Sequence, residues 1–544
     1  MQVVVVFFLF ALLCSRLQSA QADIEFSREY KYSIDLFEGY KIHWTIVGDD
    51  FINLALEVVS LEWVGFGIAE PATGSMGGAD MITGYVDSSG GHITDRWAVA
   101  KGVTPAADAC QDWTLLSWQE DSETSTTVLE LTRLLQPADT RQDRPILDDG
   151  VPTKVVGAWG NSDTFGMHKG RFTGAVNFFV DPSTLQEPLD QIKARSDVVS
   201  WALLSSSYPI PMQRTTYYEK CFEVPEVVQD AHVIAIEHQV DPSSEPYVHH
   251  FVVHGYTEQS CSRTSHMVYG WAPGSGPFVF PEEAGLRIGW GTDSEGAKFK
   301  SFRVQTHFDN PTLVPNLIDN SGIIAYYTST LRQHDAGILQ LGNPTVFYGS
   351  ILPSGISKYV FNCPSSCTEE HKGPITVFRS SGHMHATGRQ FYTEHRRANE
   401  SAVRRTNMEF YDFNFQDFNN REVYIINPGD HLQTTCIYET DGTVIFGLGS
   451  EQEMCIDFIM YYPLSNVGNW GMCGFRSCGN VEFASAVNEY DRVFGTLDGA
   501  ECSGISSPPP AAQFEPQSES NAGYSLLSFR IFILSSFLTS LFSQ

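Results

Sequence analysis

Polar and apolar positions alternate in short runs along most of the chain. Lys41-Ile42-His43-Trp44-Thr45-Ile46-Val47, His232-Val233-Ile234-Ala235-Ile236 and Phe302-Arg303-Val304-Gln305-Thr306 are representative. A period of two places successive side chains on opposite faces of a strand. Helical periodicity is scarce, and 45 Gly and 27 Pro punctuate the runs. The pattern predicts an all-β protein built from sandwiches. A chain of 544 residues is too long for one ordinary domain, so about three are expected.

The runs divide into three units between two atypical ends. Residues 1–22 read as a signal peptide, with an apolar stretch from Val3 to Leu13 and the small-x-small site Ala20-Gln21-Ala22. Residues 23–185 form a first β-rich unit, with strands expected over 60–68, 79–86, 113–118 and 126–131. A linker precedes a second unit over 200–345, and a third follows over 346–500. Residues 501–544 are a Pro-, Ser- and Gln-rich tail that ends in an apolar segment from Ser525 to Phe542, interrupted by Arg530. Small residues, a spacer and that segment fit a GPI-attachment signal, with Asn521 the attachment residue; a single transmembrane helix is the other reading.

Composition narrows the function classes. The net charge of −30 makes the chain a poor nucleic-acid binder. Of its 11 cysteines, Cys14 leaves with the signal peptide, and the even number that remains fits a disulfide framework in a secretory compartment. Asn399-Glu400-Ser401 is an N-glycosylation sequon in a polar stretch, so Asn399 is an expected glycan site.

Candidate chemistry sits on histidines. Pro374-Ile375-Thr376-Val377-Phe378-Arg379-Ser380 reads as a strand leading into Gly382-His383-Met384-His385-Ala386-Thr387-Gly388-Arg389. Two residues apart on a strand, His383 and His385 share a face and bring two imidazoles to one point. Tyr247-Val248-His249-His250-Phe251 places two histidines next to each other, so the strand must kink or end there if both are to reach one metal. His307 lies in Val304-Gln305-Thr306-His307-Phe308-Asp309-Asn310-Pro311, a strand that Asn310-Pro311 should end. Glu453-Met454-Cys455-Ile456-Asp457 offers a thioether, a soft ligand that selects Cu(I) over zinc.

These stretches, in this order over roughly residues 200–480, resemble the copper type II ascorbate-dependent monooxygenases. Tyr411-Asp412-Phe413-Asn414-Phe415-Gln416 also looks like that family. The front unit resembles a DOMON domain through Trp63 to Ile68, Gly78-Ala79-Asp80-Met81 and Gly174-Ala175-Val176-Asn177-Phe178. The combination is similar to dopamine β-monooxygenase and its DBH-like relatives. It implies a DOMON sandwich followed by two jelly-roll-like copper domains. It makes His249, His250 and His307 ligands of one copper, and His383, His385 and Met454 ligands of a second. Met454 rather than Met460 takes that role because it stands in the Glu-Met-Cys position. Ascorbate would be the reductant and dioxygen the oxidant. No family role falls on His254, His266, His334, His371 or His431.

The resemblance also implies the pairs Cys221 with Cys261, Cys363 with Cys473, and Cys436 with Cys455. Tyr256 stands where dopamine β-monooxygenase carries a further cysteine, and Cys110, Cys367, Cys478 and Cys502 are left unassigned. Some DOMON domains bind haem b through a Met and a His, and Met76 and His168 lie where such ligands would be. The expected activity is hydroxylation of a C–H bond in a small molecule, with a phenethylamine-type amine one candidate. A non-catalytic, cell-surface redox or copper-binding protein is the alternative, and peptide α-hydroxylation a third reading. The expected place is extracellular or lumenal, with a membrane anchor.

Overall fold

The computed structural model describes residues 24–492 and residue 502, apart from 101, 186–187, 263–264, 274, 292–297, 344–350, 399, 417–421, 450, 468–470, 475–477, 486 and 488–489. The signal peptide, the sequon residue Asn399, and the tail with Asn521 lie outside the described residues.

The front unit is a sandwich. Tyr32–Phe37, Tyr40–Val47, Phe51–Val58, Thr126–Leu134 and Thr114–Asp121 make one antiparallel sheet in that spatial order. Gly170–Val176, Thr153–Trp159, Val64–Ile68, Asp80–Asp87, Gly90–Trp97 and the short Ala106–Ala107 make the other. The expected strand over 60–68 starts only at Val64, because residues 59–63 form a turn. The inward residues Trp44, Leu54, Phe66, Ile82, Leu129 and Leu131 fill the space between the sheets and are almost fully buried.

The second unit pairs a larger sheet around Ala231–Gln239 and Gly322–Thr328 with a four-stranded one. In the latter, Thr215–Glu223 neighbours Ser301–Asp309, which pairs with Val248–Tyr256, which pairs with His266–Trp271. We label Val248–Tyr256 β1 and Ser301–Asp309 β2. In the third unit, Ile375–His383 (β3) lies beside Ile456–Tyr462 (β4), and Gly388–Arg396, His431–Thr440 and Gly355–Cys363 belong to the facing sheet.

Two features depart from the boundaries expected of the sequence. Gly337–Gly342, on the second-unit side of the expected break at 345–346, pairs antiparallel with β4 and so belongs to the third unit's sheet. Its period-two pattern matches either unit, and only pairing decides. Phe378 and Met460 of the third unit also join the core formed by Phe278, Phe280 and Ile338, so the seam between the two units is apolar.

Five disulfides hold the described chain. Cys221 pairs with Cys261, Cys363 with Cys473, and Cys436 with Cys455. Cys367–Cys478 and Cys110–Cys502 take up the four unassigned cysteines, the latter closing a separation of 392 residues between the front unit and the segment after the third.

Candidate metal centres

β1 meets the requirement set by adjacent histidines with a bulge. Val248 pairs with Phe308 and His250 with His307, so His249 is the extra residue with no partner in the ladder. A bulge breaks strict alternation and lets neighbouring side chains converge. The Nδ1 atoms of His249 and His250 lie 3.0 Å apart. Ring nitrogens of His249, His250 and His307 all fall within 4.8 Å of one another. Tyr217 stacks on the His307 ring at 4.5 Å. Past the end of β2, the Asn310 side chain bonds both the N–H and the C=O of Val314, and this turn terminates the strand.

The second pair is built differently from the strand geometry expected for it. β3 ends at His383, so His385 lies beyond the strand and alternation does not align the two rings. Their centroids are nevertheless 5.1 Å apart. Glu453 supplies the alignment. Its buried carboxylate accepts from the His385 N–H (2.8 Å), the Thr387 N–H (2.7 Å), the Thr387 hydroxyl (2.7 Å) and, more weakly, the Met454 N–H (3.4 Å). One side chain thus ties the two segments that carry His385 and Met454. Burial pushes the Glu453 carboxyl up to about 7, against the pull of these donors. The Met454 carbonyl accepts from Tyr438, and the Cys436–Cys455 bridge fixes the next residue.

Each imidazole of this pair has its orientation set. His383 Nδ1 bonds Gln416 Oε1, and Gln416 Nε2 donates to the Phe413 carbonyl, which identifies the amide oxygen as the end facing His383. His385 Nδ1 lies 2.9 Å from the Gln452 carbonyl. A carbonyl only accepts, so Nδ1 carries the proton in both rings and Nε2 keeps its lone pair for a metal.

The two clusters face one another across Phe413. Its ring centre lies 4.5 Å from that of His249 and 5.8 Å from that of His385. Burial lowers all five imidazoles: His249 and His383 to about 4, His307 and His385 to about 3, and His250 well below its ordinary value. After burial, repulsion from His383 adds to the lowering at His249, His307 and His385. Neutral imidazoles are the metal-binding form, so the clusters are in the ligand state at neutral pH without losing a proton. Nitrogen-rich and mixed nitrogen–thioether donor sets both suit copper.

Residues 410–416 join all three units at this place. Phe410 packs on Gly78 of the front unit, where a Cβ would sit 2.3 Å from the ring, and its edge meets Trp97 at 5.7 Å. Asp412 accepts from the Ser75 hydroxyl at 2.8 Å. The Tyr411 hydroxyl donates to the Met384 carbonyl and accepts from the Met384 N–H. The Gln416 carbonyl accepts from Ser275 of the second unit. The stretch 411–416 is visible in the sequence, but the task of each residue is not, since Gln416 lies 33 residues from His383. Gln452, Glu453 and Tyr217 likewise touch the histidines' segments, and sequence reading left them without a role.

Met76 and His168 both line one cavity of about 510 Å³ in the front unit, walled by Trp63, Met81 and Phe172 and reached by Asp412 and Phe415. Burial, then Arg171, lowers the pKa of His168. A thioether and a neutral imidazole in one apolar cavity are donors of the kind haem takes. A second cavity of about 590 Å³ lies on the apolar seam beside Phe280, Phe378 and Met460, and none of the six expected copper ligands lines it.

Comparison with known proteins agrees with the order of the units. Residues 37–160 match the DOMON domain. Residues 201–315 match the N-terminal domain of the copper type II ascorbate-dependent monooxygenases, and residues 334–479 match their C-terminal domain. The start at 334 takes in Gly337–Gly342. DBH-like monooxygenase protein 1 of Gallus gallus is 28% identical over 487 residues, covering 84% of this chain and 76% of that protein. Dopamine beta-hydroxylase of Equus caballus is 27% identical, covering 80% of this chain and 73% of that one. Tyramine beta-hydroxylase of Caenorhabditis briggsae is 32% identical over 289 residues, covering 48% of each.

Proposed function

We propose that this chain, which belongs to the copper type II ascorbate-dependent monooxygenase family and carries a DOMON domain, hydroxylates a C–H bond of a small-molecule substrate, using dioxygen and two coppers reduced by ascorbate. The observation that carries this reading is the pair of buried imidazole clusters facing each other across Phe413. His249, His250 and His307 would hold one copper, and His383, His385 and Met454 the other. Copper held by these residues would supply dioxygen activation at the thioether site and an electron from the all-imidazole site.

The chain's own groups prepare the site. The Gln416 side-chain amide oxygen and the Gln452 backbone carbonyl fix the His383 and His385 tautomers, leaving Nε2 of each with its lone pair for a metal. Glu453 holds the His385 and Met454 segments in register. Phe413 stands between the clusters, its ring beside those of His249 and His385. On the rim, Tyr217 bonds the Leu448 carbonyl at 2.9 Å and Arg214 pairs with Glu451 at 2.8 Å, drawing the two copper-binding units together.

A phenethylamine-type amine is the substrate class we favour, on the strength of relatives named for dopamine and tyramine. The secretory pathway is the setting, in keeping with the five disulfides. We place the protein on the membrane through its C-terminal segment; among the described residues no helix is long and apolar enough to cross one. The test is ascorbate-dependent oxygen uptake by the copper-loaded secreted protein, with tyramine, a glycine-extended peptide and no substrate as parallel arms. Uptake coupled to tyramine supports the full reading. Uptake with the peptide alone shifts the substrate class. Tightly held copper without uptake in any arm supports the binding-protein alternative.

A second reading concerns the front unit, because Met76 and His168 line one cavity whose wall includes Asp412 and Phe415 of the segment that touches the histidines. Haem b held there would supply single electrons. A Soret band in the purified protein that is lost in Met76→Ala and His168→Ala supports it, and a protein that gains no such band on haemin addition rejects it.

A further inference from the structure

The cavity of about 590 Å³ on the seam between the two copper-binding units is lined by none of the expected copper ligands. Its walls come from both units. His266 and Val268 lie on the strand beside β1, Phe378 lies on β3, and Met460 and Tyr461 lie on β4. β1 carries His249 and His250, and β3 ends at His383, so an occupant would rest on the framework of both clusters. The volume falls within the roughly 300 to 1,000 Å³ usual for small-molecule sites. We propose that this cavity binds an aromatic monoanion, a flat ring system bearing one acidic group, in contact with both copper-binding units at once.

The apolar walls suit a ring. Phe280, Leu286, Ile338, Phe378 and Met460 line the cavity and are buried. The centroids of Phe280 and Phe378 lie 6.2 Å apart with the rings tilted by 48°, within the range that aromatic pairs favour. His334, also in the wall, stacks on Tyr462 at 5.3 Å and adds a second aromatic surface. A third ring set against such pairs gains the favoured ring contacts as well as buried area, whereas an aliphatic chain gains area alone.

Three groups in the wall are left for a polar end. Tyr461 is 1% exposed, and its hydroxyl has no hydrogen bond among the described residues. A buried hydroxyl without a partner is costly. A Cβ on Gly337 would lie 3.1 Å from that hydroxyl and 2.6 Å from Leu464 Cδ1, so the glycine leaves the hydroxyl open to the cavity. Burial raises the Tyr461 pKa, so the hydroxyl keeps its proton and donates. The His266 imidazole, lowered by burial and so neutral, also lacks a partner among the described residues and offers one N–H. Lys372 enters no ion pair among the described residues.

Charge sets the sign of that end. Asp335 is the acid in the wall, and it is committed: its Oδ1 accepts from His232 Nε2 at 2.8 Å, and its Oδ2 pairs with Arg287 at 3.6 Å. Arg287 in turn holds Asp230 through Nε and Nη2. Glu283 acts on Tyr462 but stands outside the wall. Arg287 and Asp335 therefore offset each other, and Lys372 leaves the cavity one positive charge in excess on a chain whose net charge is −30. A cationic ligand would meet Lys372 with no free carboxylate in the wall to answer it, and a dianion would carry more charge than the wall can pair.

The experiment is fluorescence titration of the copper-loaded, full-length secreted protein with anilinonaphthalene sulfonate, an aromatic monoanion. Phenylnaphthylamine, the same ring system without the acid, is titrated in parallel. The sulfonate should bind with a Kd on the order of 10⁻⁵ M. Lys372→Glu should weaken it by about 10-fold or more, and Tyr461→Phe by about 2- to 10-fold, as loss of a charged and of a neutral hydrogen bond does. The uncharged probe should change by less than about 2-fold in either variant, since its apolar contacts remain. Without probe, Tyr461→Phe should unfold at the wild-type midpoint, because the hydroxyl it loses has no partner. Absence of sulfonate binding overturns the proposal. So does binding that both variants leave unchanged, which puts the probe elsewhere, as in the front cavity beside Met76. Equal weakening of both probes also overturns it, because the acid would then not be recognised. None of these readouts passes through turnover, so a negative result leaves the copper reading standing.

Discussion

The partly buried imidazole clusters and the fully buried carboxylates Asp80, Asp95 and Asp143 of the front unit answer burial in opposite ways. Low dielectric disfavours the charged form of any group. For His249, His307, His383 and His385 it removes a proton and leaves the lone pair a metal needs. For Asp95 and Asp143 it adds a proton and takes that lone pair away. The imidazole clusters are therefore in the ligand form at neutral pH, while the carboxylate cluster holds protons that its unfolded residues would lose.

The comparison breaks most sharply where a ligand is removed. His385→Ala should lower copper from about two per chain to about one and reduce turnover beyond the roughly 100-fold that outer-sphere losses reach. The thermal midpoint should barely move, because the site is not what folds the third unit. Unchanged turnover would remove His385 from the centre. Met454→His is the companion change: copper stays bound by three imidazoles and hydroxylation is lost. Full activity there would dismiss the thioether.

One step smaller is the loss of an orienting partner. Gln416→Leu removes the acceptor for His383 Nδ1–H and frees the ring to turn. Copper affinity at the His383 centre should fall by about 10- to 100-fold, with the electron paramagnetic resonance signal of the other centre unchanged. Equal loss at both centres would mean that Gln416 acts through the fold rather than through the ring.

How much of this was legible in the chain follows from the range of the interactions. Adjacent His249 and His250 cannot share a face of a regular strand, so the need for a kink was readable, and the bulge in β1 supplies it. Strand expectations held where alternation was clear, as at Asp80–Asp87 and Thr126–Leu134. The face shared by His383 and His385 was read from alternation, but β3 stops at His383 and Glu453, 68 residues from His385, does the aligning. Gly337–Gly342 carries no mark of which sheet it joins. Cys110 and Cys502 are separated by 392 residues, and no local rule pairs them. The aspartates were invisible for the same reason, since Asp80, Asp95 and Asp143 meet only when three segments fold together.

The contact between the two regions comes next in size. Phe410 fills the space over Gly78 and meets Trp97, while the Arg492 guanidinium covers its ring at 4.2 Å. Phe410→Ala should cost about 3 to 5 kcal/mol in denaturant unfolding, as truncation of a buried aromatic does. Turnover should fall as well, because residues 411–416 lose their support. A loss of stability with normal turnover would show that the front unit and the copper centres are independent.

The smallest effect concerns pH. Asp143, Asp95 and Asp108 have carboxyls raised above their unfolded values, to about 10 for Asp143 and about 6 for Asp108. Facing them are Asp80, Asp112 and Asp139 with the guanidiniums of Arg133 and Arg144. Between the unfolded carboxylate pKa and those raised values, the folded state binds more protons than the unfolded one. These groups then make stability fall as pH rises, by up to about 1.4 kcal/mol per pH unit for each proton of difference. Measured from pH 7 to 8, the slope should be negative. The histidines titrate with the opposite sign, since their lowered folded pKa values make acidification destabilising. That term acts below about pH 6.5, the unfolded histidine value, so above it the carboxylates set the slope. A slope at pH 7 to 8 that Asp143→Asn leaves unchanged would assign those protons to other groups.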